Sequence, residues 1–200
     1  MNPSQEHARL VDLIKWIDQH TSGISLPGDE RSMLAVGCLE MALEHQAAIA
    51  LLHESEFFGS AFALARVQLE ALVRGMWLLH CASPKELQQF QKGIVPKPFS
   101  ALVERVEVAV DDTNKVLSGL LSNAWTALNS FTHTGMHQVS RRYSAGKIEG
   151  NYSIEDRNKA LGLAGALGLV AASQLIGMAE RQDLLPAYFQ RMTEYAQPSP

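Results

Sequence analysis

The stretch Ser60–Ala82, SAFALARVQLEALVRGMWLLHCA, is almost wholly apolar, yet it carries Arg66, Glu70 and Arg74 at steps of four. Residues four apart lie on one face of an α-helix. The spacing therefore predicts one helix with a single charged row, in which Glu70 sits between two cations. Phe58 and Phe62 continue the row on one side, and Trp77, Leu78 and Cys81 lie beyond it on the other. Two placements compete. On an exposed face the row makes i,i+4 ion pairs worth about 0.2–0.5 kcal/mol each, but it leaves the rings of Phe62 and Trp77 in water. Inside a bundle the charges need partners, because an unpaired buried ion is costly. Once Glu70 has paired with one arginine, the other asks for a further acceptor, a water pocket or a bound anion. The large rings favour at least partial burial.

The rest of the chain reads as a cover for this helix. Its 200 residues fit one domain, 1–200, with a frayed tail at 196–200. A hydrophobic fraction of 46% supports a real core, and a charged fraction of 19% falls below the roughly 25% usual for soluble domains. That deficit predicts apolar surface beyond a monomer's needs, hence a homo-oligomer such as a dimer, or a protein partner. A formal net charge of -4 rules out a broad basic field for nucleic acid, while leaving a local patch open. Cys38 and Cys81 both lie in apolar helical runs and form no disulfide framework, which points to a reducing, cytoplasmic setting. The polar start MNPSQEHARL lacks the apolar core of a secretory signal. Ala160–Ala179 has no charge and is long enough to span a bilayer. Its glycines (Gly162, Gly165, Gly168, Gly177), alanines, Ser173 and Gln174 instead predict a buried helix that neighbours approach closely, with no membrane.

In chain order, helices are expected over Ser4–His20, from Asp29 to about Ser55, and over the central stretch. A fourth starts at Ser83-Pro84-Lys85-Glu86, where serine caps, proline suits the first turn and Glu86 completes a capping box. Val95–Phe99 is a proline-punctuated connector, and Ser100–Val110 a further helix. Asp111-Asp112 opens another that reaches Phe131 or beyond. Ser144–Tyr152 is a loop. Ser153, with Asp156 three residues on, starts a last long helix to about Arg181, and Leu184–Tyr195 adds a short amphipathic one. No strand-like alternation or long repeat is present. The sum is an all-α, multi-helix bundle of about seven to nine helices.

A second polar row stands at Asn129, His133, His137 and Arg141, again four apart, with Arg142 following. If helical throughout, it lines one face, although Gly135 weakens that continuity. Three readings of the histidines compete. HxxxH can bind zinc, but the metalloprotease pattern needs Glu after the first His, where Thr134 stands, and no Glu-x-x-His pair of the di-iron kind occurs. No metal or other cofactor is therefore assigned. His133 can act as a general acid or base beside Asn129 and an arginine. It can also simply satisfy a buried polar partner, with Glu70 the natural candidate. On that pairing, the two rows face one polar pocket.

The run Arg66, Glu70, Arg74 followed by SFTHTG at Ser130–Gly135 resembles a family of uncharacterised bacterial all-α proteins that look distantly related to HEPN domains. HEPN ribonucleases carry Arg, then Asn, Asp or His, then three residues and His. Asn129-x-x-x-His133 matches the second half, and Leu128 stands where the arginine belongs. The departure removes the cation that would stabilise charge on a phosphate; Arg66, Arg74, Arg141 or Arg142 are the substitutes in the chain. The resemblance covers Met33–Ala179.

Three functions follow. The first is a non-catalytic interaction module in a defence or toxin–antitoxin setting, as the resemblance implies. The second is a metal-independent ribonuclease, in which His133 moves protons, Asn129 positions and an arginine stabilises charge. The third is a small-molecule or anion binder using Arg66 and Arg74, with Glu70, His137, Arg141 and Arg142 as further binding candidates.

Overall fold

The structure, a computed structural model, describes residues 5–94 and 97–197. Ser4, the Val95–Pro96 part of the connector and tail residues 198–200 lie outside the described residues. Among the described residues nine α-helices follow in order: α1 Gln5–Thr21, α2 Glu30–Glu54, α3 Phe58–His80, α4 Pro84–Gln91, α5 Phe99–Ala109, α6 Val116–Thr132, α7 Met136–Val139, α8 Ile154–Met178 and α9 Leu185–Ala196. The chain is an all-α, multi-helix bundle. Its extended structure among the described residues is one tight hairpin, Tyr143–Ser144 against Lys147–Ile148, inside the stretch expected to be loop. Strands of two residues carry no alternation, so no periodicity in the sequence marks them.

α3 is the centre of the bundle. α2 pairs with it along its length, and α5, α6 and α8 pack on its other sides. Leu69, Leu72, Trp77 and Leu78 of α3 are fully enclosed with Leu10, Leu39, Leu102, Leu161 and Leu175 from the covering helices. Leu13 and Ile17 of α1, Leu169 and Ile176 of α8 and Tyr188 of α9 form a second cluster.

The caps expected from sequence form. Asp29 accepts from the Ser32 N–H at the start of α2. Ser83 and Glu86 make a reciprocal capping box around Pro84. Arg105 of α5 donates to Glu86 at 2.7 Å and holds its carboxyl well below the usual range, at about 2. Ser153 caps α8 through the Asp156 N–H.

Several boundaries differ from expectation: α8 ends at Met178 rather than at about Arg181, and two others have a visible cause. α6 begins at Val116 rather than at Asp111-Asp112. Asp112 instead stays outside the helix and accepts from the Val116 N–H at 2.9 Å. Glu107, buried on α5, accepts from both the N–H and the hydroxyl of Ser118, at 2.7 and 2.6 Å. Two carboxylates thus meet the positive end of α6 and pin it to α5. At the other terminus α9 continues through Ala196, because Arg9 donates to the carbonyls of Tyr195 and Gln197 at 2.9 Å and closes that helix end.

α2 and α8 are each long and apolar enough, by length and composition, to cross a membrane. Within the bundle α8 lies against α1, α2 and α3. Its small residues let side chains reach the helix axis. The Gln46 amide from α2 lies where a side chain on Gly168 would begin, and the Tyr195 hydroxyl from α9 occupies the same place at Gly165.

His53 is half-buried, and its Nε2 has no hydrogen-bond partner among the described residues. His53 of α2 stacks on His7 with centroids 5.3 Å apart and meets the edge of Phe58. Burial, with His7 and Arg157 nearby, lowers its pKa to about 4.

Candidate functional site

The charged row of α3 lies at the surface end of the α3–α6 contact. Glu70 uses one oxygen for each arginine: Arg66 Nη2 reaches Oε1 at 2.8 Å and Arg74 Nη2 reaches Oε2 at 2.7 Å. The side chains of Arg66 and Glu70 are each 16% exposed, and that of Arg74 is 34% exposed. The row is therefore partly buried, and a single carboxylate serves both cations. Phe62 and Trp77 leave the water by turning off the row. Trp77 is fully enclosed, and Phe62 packs on Phe131 of α6 at 4.7 Å and on Tyr152 at 5.6 Å.

Arg66 has two further partners. Its guanidinium carbon lies 4.9 Å from the ring centre of Trp125 on α6, a cation–π distance. Its Nη1 meets Nε2 of His133. An arginine carries donors only, so this contact makes His133 Nε2 the acceptor and places the ring proton on Nδ1. Trp125 is held flat against Phe99 of α5, with centroids 4.9 Å apart and planes 10° apart. The sequence reading missed Trp125; its position four residues before Asn129 on the same helix was the available signal.

The expected pairing of His133 with Glu70 is corrected by this geometry. Arg66 stands between them and makes both contacts, so the two elements do meet at one polar corner, through the arginine. Asn129 lies one turn before His133, and its carbonyl accepts from the His133 N–H at 3.0 Å.

The expected second row, Asn129 to Arg141 on one helical face, is not continuous. α6 ends at Thr132, and His133 is its cap. Thr134 takes a left-handed backbone, φ 53, and the Gly135 N–H closes back on the Ser130 carbonyl at 2.7 Å. This is the Schellman closure, with threonine in the place usually held by glycine. A β-branched residue there is strained, on the order of 1–3 kcal/mol. The Ser130 hydroxyl then accepts from the His137 N–H at 2.9 Å and starts α7 in a new direction.

The break disperses the remaining candidates. His137 is exposed and leans toward Phe131, centroids 6.4 Å apart. Arg141 pairs with Asp156 at 2.9 Å, donates to the Asn151 carbonyl and lies over Tyr152, which ties the hairpin to α8. Arg142 lines a separate groove of about 300 Å³ with Phe57, Ser60, Thr134, Gln138 and Val139. Among the described residues, no group of three or more His, Cys, Asp or Glu side chains is placed to hold a metal ion.

Chemically, the corner combines a fixed guanidinium, a neutral imidazole at an exposed helix end and an indole face. It can hold an anion if Arg66 exchanges His133 for it, and it can accept a proton at His133. Fold and site together define a helical bundle with a single Arg–Glu–Arg–His corner. The chain belongs to a family of unknown function, DUF6988, whose model matches residues 39–198 and so includes every element of that corner. No curated protein and no solved structure matches the chain.

Proposed function

We propose that this protein is a non-catalytic interaction module that works as a homodimer. The observation that carries this reading is a concentration of bare apolar side chains beyond the end of α6. Met136, Val139, Tyr143, Ile148 and Ile154 fall within nineteen consecutive positions and are all exposed, Met136 by 77% and Ile148 by 94%. Large exposed apolar patches mark contact surfaces. The low charged fraction, 19%, supports the same reading. So does the corner itself, where Glu70 already matches both arginines and Arg66 is already engaged on three sides. The occupant of the surface is a second copy of the chain. A bacterial setting in defence or toxin–antitoxin systems, with an HEPN-like ancestry, is what the resemblance adds, and the cysteine usage adds a reducing, cytoplasmic one. Wild-type protein is expected to sediment as a dimer at micromolar concentration, and Val139→Asp/Ile148→Asp as a folded monomer. A monomeric wild type contradicts the reading.

One observation favours a second reading, a metal-independent ribonuclease. Arg66 supplies in space the cation that Leu128 leaves out of the motif, and it does so at the exposed His133. In that chemistry the 2′-hydroxyl attacks the adjacent phosphorus and gives its proton to His133, the P–O5′ bond breaks, the 5′-oxygen leaves as a hydroxyl with a proton from water, and a 2′,3′-cyclic phosphate remains, while Arg66 leaves the imidazole for the phosphate. An RNA-cleavage assay in chelator, wild type beside His133→Ala, separates the two. The interaction reading predicts no cleavage by either protein. The ribonuclease reading predicts cleavage that falls by roughly 10²-fold or more in the variant.

A further inference from the structure

The exposed apolar side chains beyond α6 do not form a flat face; they divide into a recess and a projection. Val139, 50% exposed, lines the groove of about 300 Å³ to which Arg142 also belongs. Phe57, 62% exposed, lines the same groove, which reaches the first turn of α3 at Gly59 and Ser60. The Gln138 amide donates to the Gly59 carbonyl at 3.5 Å and ties α7 to that turn.

The hairpin that follows is the projection. Tyr143 and Ile148 are cross-strand partners, so they stand on one face of the ribbon. Its turn, Ala145-Gly146, has positive φ at both residues, 49 and 83, as a tight two-residue connection needs. The base is closed by the Glu149 N–H on the Arg142 carbonyl at 3.2 Å and the Asn151 N–H on the Arg141 carbonyl at 2.8 Å. The Arg141–Asp156 pair fastens that base to α8. Ile148 is thus held outward on a fixed support, and at 94% exposure it does not fill the groove of its own chain. Charge supplies the complement. Lys147 and Glu149 flank Ile148, while Glu56 precedes Phe57 and Arg142 lines the groove. All four are exposed, and none of the four side chains has an ion-pair or hydrogen-bond partner among the described residues.

We infer that the hairpin of one chain enters the groove of a second copy, with Ile148 between the partner's Phe57 and Val139, Glu149 on the partner's Arg142 and Lys147 on the partner's Glu56, and that the exchange is reciprocal. The inference rests on the homodimer reading above and adds the register of its contact. A second copy is the occupant because the chain carries the complement of its own groove: a bare isoleucine between one cation and one anion, facing an apolar recess that also has one charge of each sign. A two-fold axis satisfies both ends at once, since each copy gives a hairpin and accepts one.

Sedimentation equilibrium of full-length wild type, Arg142→Glu, Glu149→Arg and an equimolar mixture of the two variants tests the register. Each variant alone sets two like-charge contacts across the dimer and is expected to weaken it at least about tenfold. In the mixed dimer both contacts regain opposite charges, so the mixture is expected to return to the wild-type dissociation constant. Damage confined to one chain's own hairpin is not repaired by mixing. Ile148→Ala keeps every charge and only shortens the projecting side chain; it is expected to weaken the dimer about tenfold. A monomeric wild type would remove the homodimer reading and this inference with it. A wild-type dimer unmoved by the charge variants or by Ile148→Ala, or one whose charge variants do not recover on mixing, would overturn the reciprocal seating alone and leave the dimer reading in place.

Discussion

Glu70→Ala is expected to lower the stability of the bundle by about 2–3 kcal/mol, read as a drop in the urea midpoint at unchanged slope. The reason is that one carboxylate serves both arginines. Removing it leaves Arg66 and Arg74 side by side in a partly enclosed site with no carboxylate between them. The figure lies at or below the low end for breaking a buried pair, because the side chains of the row remain 16–34% exposed. Glu70→Gln keeps one acceptor and should fall between wild type and alanine. The contrasting case is the Glu155–Lys159 pair, whose side chains are 75% and 71% exposed. Glu155→Ala should cost less than about 0.5 kcal/mol. Equal effects from Glu70→Ala and Glu155→Ala would mean that the α3 row is only a solvated stripe.

The second large effect reverses the rule that alanine stabilises a helix relative to glycine. Gly168→Ala is expected to destabilise by about 2 kcal/mol, because the new methyl group overlaps the Gln46 amide and must displace a side chain that is 1% exposed. Gly162→Ala and Gly177→Ala, on the same helix, meet nothing within 4 Å. They are expected to stabilise by about 0.5–1 kcal/mol through helix propensity and the lost freedom of the unfolded chain. Thermal melts of the three single variants give the comparison directly. Melting points that rise in all three would show that Gln46 does not seat against α8.

The elements that the sequence made legible are those whose information is local. Ser83, Pro84 and Glu86 form a capping box from residues three apart, and Ser153 caps α8 by accepting from the Asp156 N–H three residues on. The Arg66–Glu70–Arg74 row follows from the helical repeat alone. The long apolar helices and their burial follow from composition over a window of many residues.

What was not legible depends on contacts distant along the chain. Glu107 caps α6 from eleven residues away and sets where that helix begins. Nothing in the order of residues distinguishes it from an ordinary glutamate on the solvent side of α5. The second row failed for a backbone reason. A spacing of four is informative only while the helix lasts, and the left-handed turn at Thr134 ends it between His133 and His137. Gly135 was the visible warning, yet the residue with positive φ is the threonine before it. Glu70 was the reasonable partner for His133 on charge. Which end of a three-residue row meets α6 is fixed by the packing of Phe62 on Phe131 and of Arg66 on Trp125, and neither is encoded in spacing.

The central claim is that Arg66 joins the charged row of α3 to the end of α6 by donating to His133. Long-range ¹H–¹⁵N spectra of the histidine side chains, recorded above neutral pH, read it directly. His133 is expected to be held as the Nδ1–H tautomer, with Nε2 unprotonated and accepting, and Arg66→Ala to release it to a mixture of both tautomers. A wild-type spectrum with His133 protonated at Nε2, or one that Arg66→Ala leaves unchanged, would contradict it.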